Sequence, residues 1–153
     1  MDRMTAHQLT GATELADLLF EQAPDALIFA DVSGAVRRWN PGAERVFGHA
    51  ASEVVGGSLD IIIPERFRDA HQRGFEKALE TGVTKYAGRV LTTRAVHKDG
   101  RVIYVALTFA LVREAGGAVI GALAVGRDCT ESYLAEKALR ERVSDLQKEN
   151  AAR

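Results

Sequence analysis

One of the four histidines, His71, lies at a position where a helical pattern of apolar residues would bury its side chain. Read at helical spacing, residues 64–79 put His71 on an apolar stripe between Phe67 and Phe75, and charged residues fill the opposite face. A buried imidazole costs free energy unless it has a partner. We therefore expect His71 either to hydrogen-bond within the protein or to coordinate a group that the protein encloses. The other members of the stripe are Ala70, Gly74, Ala78 and Leu79.

No other set of residues in the sequence forms a recognisable reactive centre. His7, His49 and His97 fall in a terminus, a loop and a turn, where we expect solvated side chains. Cys129 is the only cysteine, which excludes an intrachain disulfide and a cysteine-based zinc site; we expect it to be a small buried residue at a strand end. Because carboxylates do not converge and neither a G-x-S-x-G turn nor a phosphate-binding loop is present, we predict that the chain is not an enzyme.

Length and charge limit the remaining classes of function. The 153 residues suffice for one domain, and 20 basic against 21 acidic residues leave a net charge of −1. This balance predicts neither nucleic-acid binding nor attachment to an anionic membrane. No apolar run reaches the roughly 20 residues of a membrane span, and the polar N-terminus does not resemble a secretion signal. We expect a cytoplasmic protein.

Capping signals divide the first half of the chain into short elements. Thr13 and Asn40 are the expected N-caps of two helices, with Pro41 at the first helical position and Gly48 at the end of the second helix. Ser52 is the expected cap of a further single turn. The predicted ranges are a helix over 13–22, strands over 26–31 and 35–39, and the long helix from Pro64 to Thr81-Gly82.

Three longer strands follow, over 84–96, 101–112 and 118–126. Residues 97–100 read as the hairpin turn between the first two. The strand over 118–126 is apolar on both faces, so we expect it at the centre of the sheet. Together the five strands predict an α+β protein with one antiparallel sheet and helices inserted between the second and third strands. The strand over 101–112 alternates clearly, with one face formed by Ile103, Val105, Leu107, Phe109 and Leu111.

The last segment, residues 131–153, is helical by composition. Leu139, Val143, Leu146 and Asn150 are spaced 4, 3 and 4 residues apart, which favours a coiled coil of two parallel strands. The simpler alternative is a helix packed on its own domain. We expect a homodimer formed through this helix and also through the N-terminal helix, and an output domain or a partner kinase downstream.

Landmarks along the chain resemble those of PAS sensory domains. They imply a sheet in the order 2-1-5-4-3 beside helices that enclose a small-molecule pocket, a cap region over 1–22, a PAS domain over 23–130 and a signalling helix over 131–153. The exit residues Asp128 and Thr130 would hold the strand–helix junction by local hydrogen bonds. The landmarks are APDALIFADVSGAVRRWNPGAERVFGHAASEVVG, IIIPERF, HKDGRVIYVAL and GALAVGRDCTE.

Within this family the long helix is similar to that of the rhizobial oxygen-sensor haem domains. His71 lies ten residues before Thr81-Gly82, as the proximal haem ligand does there, so the resemblance implies haem b held by the neutral ring of His71. The resemblance also gives other residues a place around the haem. Gly74 would make room for the macrocycle, Lys77 and Lys85 would lie near the propionates, and Tyr86, Leu107 and Phe109 would line the pocket.

One departure from those oxygen sensors concerns the gas. The arginine that stabilises bound oxygen there falls on Leu91 here; Arg89 lies two residues away, on the same face if the strand is regular. A pocket without a donor stabilises bound oxygen poorly, whereas CO and NO need the donor less. The alternatives to haem are another small ligand, FAD touching Trp39 and Asn40, and a cofactor-free dimerisation module. We prefer to interpret Trp39 as an ordinary core tryptophan and Asn40 as an N-cap.

Overall fold

The computed structural model describes residues 11–153, so the expectation for His7 lies outside the described part. Among these residues no helix is long and apolar enough to cross a membrane. In chain order the elements are α1 (Ala12–Gln22), β1 (Ala26–Asp31), β2 (Val36–Trp39), α2 (Pro41–Phe47), α3 (Ala51–Val54), a 3₁₀ turn (Leu59–Ile62), α4 (Glu65–Thr81), β3 (Leu91–Val96), β4 (Val102–Arg113), β5 (Val119–Asp128) and α5 (Thr130–Ala151).

The five strands form one antiparallel sheet in the order β2-β1-β5-β4-β3. This α+β architecture and the strand order confirm the fold expected from the resemblance. The strand that is apolar on both faces, β5, lies at the centre, between β1 and β4. The helices between β2 and β3 are α2, α3 and α4, also as predicted.

The cap at Asn40 explains why the chain turns from β2 into a helix. The Asn40 side chain accepts a hydrogen bond from the Ala43 N–H, Pro41 occupies the first helical position, and Gly48 ends α2 at φ +81°. Two other expected caps are wrong. Neither Thr13 nor Ser52 caps a helix, because α1 begins one residue earlier, after Gly11, and α3 begins after Ala50, whose N–H donates to Glu53.

The third strand is shorter than predicted. Residues 84–90 form turns, with N–H groups of Ala87 and Arg89 donating to Thr84 and Tyr86, and the strand begins only at Leu91. Gly88 adopts φ +70°, a conformation that side-chain-bearing residues rarely take, which interrupts the extended backbone. The alternation seen in the sequence over 84–90 was therefore not that of a strand.

The fully buried core lies at one end of the sheet, where β1 and β2 meet α2 and α3. Trp39 and Phe47 pack as a tilted ring pair with centroids 5.4 Å apart. The Trp39 indole N–H donates to the His49 carbonyl, 3.0 Å away. Four strands, β1 to β4, contribute side chains to this core, together with α2, α3 and the 3₁₀ turn. The buried cluster comprises Ala26, Ile28, Val36, Trp39, Ala43, Phe47, Val54, Ile62, Ala95, Ile103 and Val105.

Candidate cofactor cleft

Strand register shows which residues share the sheet face that carries the core. Residues directly opposite in neighbouring antiparallel strands point to the same side. Leu91 lies opposite Leu107, and Phe109 lies opposite Ala124, which in turn faces Ile28 of the core. The apolar surface of the core therefore continues along this face of β3, β4 and β5. Its members beyond the core are Leu91, Leu107, Phe109, Leu111, Ala122 and Ala124.

Burial falls along this face from one end of β4 to the other. Ile103 and Val105 are buried, whereas Leu107, Phe109 and Leu111 are only half-buried. Helix α4 also buries none of its residues, although Phe75, Ala78 and Leu79 are half-buried. Apolar residues on the helix and on the sheet are thus partly accessible to solvent. We call this open region the cleft; it is defined by α4 and by Leu91, Leu107, Phe109 and Leu111.

The contacts of α4 differ between its two ends. Near the N-terminal end, Arg68 makes a local hydrogen bond to the carbonyl of Ile63, just before the helix, at 3.1 Å. At the C-terminal end, the Arg113 guanidinium donates to the Gly82 carbonyl at 2.6 Å and so ties the helix cap to the end of β4. Between these ends the ring of Phe75 lies 3.8 Å from the position of a Cβ on Gly34, in the β1–β2 turn. The helix is therefore attached to the sheet without being packed into the core.

His71 lies one turn before Phe75 on α4. Its side chain is exposed, not buried as the sequence pattern predicted. The surrounding protein nevertheless desolvates the ring and lowers the pKa of His71 below the usual histidine value, and Asp60 opposes this shift. No group in residues 11–153 hydrogen-bonds to the ring, which leaves its nitrogen lone pair available.

The other residues predicted to surround a cofactor divide into those that lie at or near the cleft and one, Lys77, that no contact places there. Tyr86 comes over the cleft from the α4–β3 segment, with its ring 6.0 Å from that of Phe109, and the Lys85 ammonium lies 5.0 Å from the Tyr86 ring. Gly74 has open space where a Cβ would be, so any larger residue would take up room beside the helix. Lys77 is exposed on α4, and no contact places it at the cleft.

Arg89 lies outside the regular strand. The sequence placed Arg89 on the face of Leu91 only if the strand were regular from Arg89 onward, and β3 begins at Leu91. Arg89 is exposed, and its N–H closes a turn onto the Tyr86 carbonyl. The sheet side of the cleft is therefore formed by hydrocarbon, and Thr93 is the polar exception, opposite Val105.

Trp39 and Asn40 are structural residues and are not available to a flavin. Asn40 is 0% exposed. Its amide nitrogen donates to the carbonyls of Phe20 and Asp25, and its oxygen accepts from two backbone N–H groups, those of Leu27 and Ala43. All of its hydrogen-bonding capacity is used within the protein. The interpretation as a core tryptophan followed by an N-cap agrees with this structure.

His49 was expected in a solvated loop, and that expectation is wrong. It is 8% exposed, burial lowers its pKa, and its Nδ1 lies 3.8 Å from a Glu53 oxygen. His97, expected to be solvated, is partly covered as well and packs against Gly48. A signal for His49 was present in the sequence, because the residue after a helix-ending glycine commonly packs back on its helix.

The described residues do not form a metal site built from protein ligands alone. No three His, Cys, Asp or Glu side chains in residues 11–153 converge on one point. Cys129 is half-buried at the start of α5, and burial raises the pKa of its thiol, which disfavours the thiolate needed for metal binding. Within residues 11–153, a metal bound at His71 would consequently lack further protein ligands, and a porphyrin is one group that supplies them.

A family model described as the PAS fold matches residues 14–129. The chain belongs to the PAS family. It is 32% identical over 122 residues to a protein of Azorhizobium caulinodans, 29% identical over 127 residues to the oxygen sensor protein DosP of Escherichia coli, and 27% identical over 139 residues to the sensor protein FixL of Bradyrhizobium diazoefficiens. These matches cover 79%, 80% and 90% of this chain, but it spans only 16%, 16% and 26% of the relatives.

Solved PAS structures share the architecture at low sequence identity. A PAS domain from Colwellia psychrerythraea is 20% identical with a TM-score of 0.68, covering 79% of this chain and 99% of that one. An RNA-binding light-oxygen-voltage receptor is also 20% identical, with a TM-score of 0.71 over 100% of this chain and 42% of the other. At this identity the likeness concerns the fold alone, and the PAS fold is thus shared by proteins with different signals.

Proposed function

We propose that this PAS domain is a sensor that binds haem b through His71 and relays a gas or redox signal to α5. The observation that carries the proposal is the state of His71. It lies on α4, the helix that borders the cleft, has no hydrogen-bond partner within residues 11–153, and has a pKa lowered by the surrounding protein. A neutral imidazole with a free lone pair is the form that ligates haem iron.

The residues around the cleft fit the chemistry of a haem. Leu91, Leu107 and Phe109 offer a hydrocarbon surface, which suits a flat apolar ring. Lys85 places a cation near the mouth, where it would pair with a propionate. Haem would supply an iron that binds diatomic gases and changes oxidation state. The chain itself would hold that iron by His71, exclude water with Leu107 and Phe109, and keep the imidazole neutral.

Two relatives support a sensory role. DosP is named an oxygen sensor and FixL a sensor, and both match over at least 80% of this chain. Because the chain spans a small part of either relative, the output is a separate proposal. We propose that α5 leads to an output domain or to a partner kinase, and that the PAS domain carries no catalytic activity of its own.

We infer the identity of the signal from the residues on the sheet side of the cleft. Leu91, Leu107 and Phe109 cannot donate a hydrogen bond to a bound ligand, and Arg89 is exposed outside the strand. Bound oxygen is polar and depends on such a donor more than CO or NO does. We therefore propose CO, NO or the redox state of the iron as the signal.

The second candidate is a cofactor-free dimerisation module, favoured by the exposure of the C-terminal seam. Leu139, Val143 and Leu146 are 65%, 46% and 42% exposed on α5, and Leu19 is exposed on α1. Exposed leucine and valine at coiled-coil spacing suit a second copy of the chain. Polar substitutions at the three seam positions should give monomers; a dimer that persists would place the interface on α1.

An absorption spectrum of the purified chain tests the haem proposal. After haem reconstitution, the ferrous protein should show a Soret band that shifts on adding CO. His71→Gly should lose this spectrum and regain it with added imidazole, which replaces the missing ligand. His97→Ala, a histidine outside the cleft, is the matched control and should bind haem normally. An unchanged spectrum in His71→Gly without imidazole would overturn the assignment.

A further inference from the structure

Helix α5 touches the rest of the domain through its first turn. Tyr133 is half-buried, whereas every residue from 134 to 153 is exposed. The direction in which the long helix leaves the domain is therefore set by a few contacts near Thr130 and Tyr133. The hydrogen bonds that connect this turn to β4, and the aromatic contact beside them, all involve one residue of that strand, Tyr104.

The backbone of Tyr104 holds the strand–helix junction. Its N–H donates to the Thr130 hydroxyl oxygen at 2.9 Å, and its carbonyl accepts from the Cys129 N–H at 2.9 Å. The ladder between β4 and β5 ends one residue away, at the pair Val105 and Asp128. The hydrogen bonds of the junction therefore lie where Tyr104 and Cys129 would form the next residue pair between β4 and β5. Asp128 accepts from both the N–H and the hydroxyl of Thr130, which fixes the hydroxyl for this role.

The side chain of Tyr104 holds the helix itself. Its ring stacks on that of Tyr133, with centroids 4.0 Å apart and planes inclined by 20°. The Arg94 guanidinium lies 5.8 Å from the Tyr104 ring centre, so the platform also touches β3. Tyr104 points to the outer face of the sheet, because Ile103 and Val105 on either side of it are buried in the core.

Tyr104 and the cleft residues share one strand. Val105 separates Tyr104 from Ala106, and Leu107 and Phe109 follow on the cleft side. The backbone of β4 is hydrogen-bonded to both β3 and β5 along this stretch. A displacement of β4 at the cleft would therefore move the platform on which Tyr133 lies.

We propose that Tyr104 is a positioning residue whose stack with Tyr133 converts movement of β4 into a change in the direction or order of α5. The hydrogen bonds around Thr130 hold the start of α5, whereas the stack is the contact made by a side chain further along the helix. This inference does not depend on which ligand occupies the cleft, so it stands or falls separately from the haem proposal.

Hydrogen exchange of the full 153-residue chain tests the positioning role. Tyr133→Ala should raise the exchange rates of the N–H groups of residues 133–138 about five- to tenfold, the loss expected when a ring pair is removed, and leave β4 unchanged. Tyr133→Phe keeps the stack and should match the parent. Because Tyr133 is half-buried and the core does not include it, the Ala variant should fold, and a circular dichroism spectrum checks this. Tyr133→Leu, which keeps apolar volume without a ring, is the substitute if it does not fold.

A change on the cleft side distinguishes coupling from a merely structural contact. Leu107→Ala should alter exchange in the same α5 segment in the parent and in Tyr133→Phe, but not in Tyr133→Ala. If Leu107→Ala has no effect on α5, or has the same effect with and without the Tyr133 ring, the proposal is overturned. Unchanged α5 exchange in Tyr133→Ala would overturn it as well.

Discussion

The two ends of one sheet face are built from similar residues and packed differently. At the packed end, Val36, Trp39, Phe47 and Val105 are 0 to 4% exposed. At the cleft, residues of the same kinds remain half-buried, although α4 lies nearby and its C-terminal cap is tied to β4. Apolar composition alone therefore does not explain the difference. Short helices pack on the packed end, whereas the cleft is bordered by one long helix that is tied to the sheet at its C-terminal cap.

The difference indicates how stability and binding are divided within the domain. Area removed from water stabilises the fold, and the buried core cluster lies at the packed end. Residues that remain partly accessible contribute less to folding and keep surface available for a ligand. The same strands serve both ends, so a ligand at the cleft would contact strands whose other end is fixed in the core.

Truncating a ring at each end should give the largest contrast. Phe47→Ala should lower the free energy of unfolding by about 3–5 kcal/mol because it leaves a cavity in closed packing. Phe109→Ala should lower it by about 1–2 kcal/mol, since part of its ring is already in contact with water. Urea unfolding followed by circular dichroism measures both. Equal losses would mean that the cleft closes in solution and that the two ends do not differ.

A smaller contrast is expected between two caps. Asn40→Ala should cost about 2–3 kcal/mol, because it removes an N-cap and leaves buried backbone groups without their partners. Ser58 caps the exposed 3₁₀ turn, where its hydroxyl accepts from the Asp60 N–H. Ser58→Ala should cost at most about 1 kcal/mol, because water can replace the cap. Similar losses in urea unfolding would show that Asn40 is not a special support of the packed end.

The pH dependence of stability compares a histidine at each end. Burial lowers the pKa of His49 and of His71 in the folded state. Below about pH 6.5 the unfolded chain therefore binds protons that the folded chain does not, so stability is fully present above this value and falls as the solution is acidified. Unfolding in urea at pH 7.5, 6.5 and 5.5 should show this slope.

The two histidines should contribute unequally to that slope. His49→Gln should flatten it more than His71→Gln, because His49 is buried while the His71 ring is accessible to water. The comparison uses the change with pH, so a constant loss of stability in either variant does not affect it. A larger effect from His71→Gln would mean that α4 packs more closely on the sheet than the cleft allows.

The sequence predicts the packed end and the cleft only where the signals for their structure lie in residues that are neighbours along the chain. Asn40, Pro41 and Gly48 specify α2 through capping and backbone preference, and the alternation in β4 identifies the face of Leu107. The position of His49 after Gly48 was a local signal that it packs back on its helix, but the extent of its burial also depends on residues distant in sequence such as His97 and Lys98. The sequence also placed His71 on an inward stripe without showing how far α4 lies from the sheet. Spacing within a helix does not determine that distance.

Arg89→Ala should have the smallest effect of all. Arg89 is exposed in the segment before β3, outside the regular strand, so its removal should leave both unfolding and ligand binding unchanged. In the haem-reconstituted protein, the ratio of CO to oxygen affinity should be the same within about twofold, because Arg89 does not belong to the strand residues that line the cleft. Leu91→Ala, which changes the lining itself, is the comparison and should shift the ratio. A selective loss of oxygen affinity in Arg89→Ala would show that the 84–90 segment rearranges to bring a cation to the iron, and that the open end changes shape in a way the packed end does not.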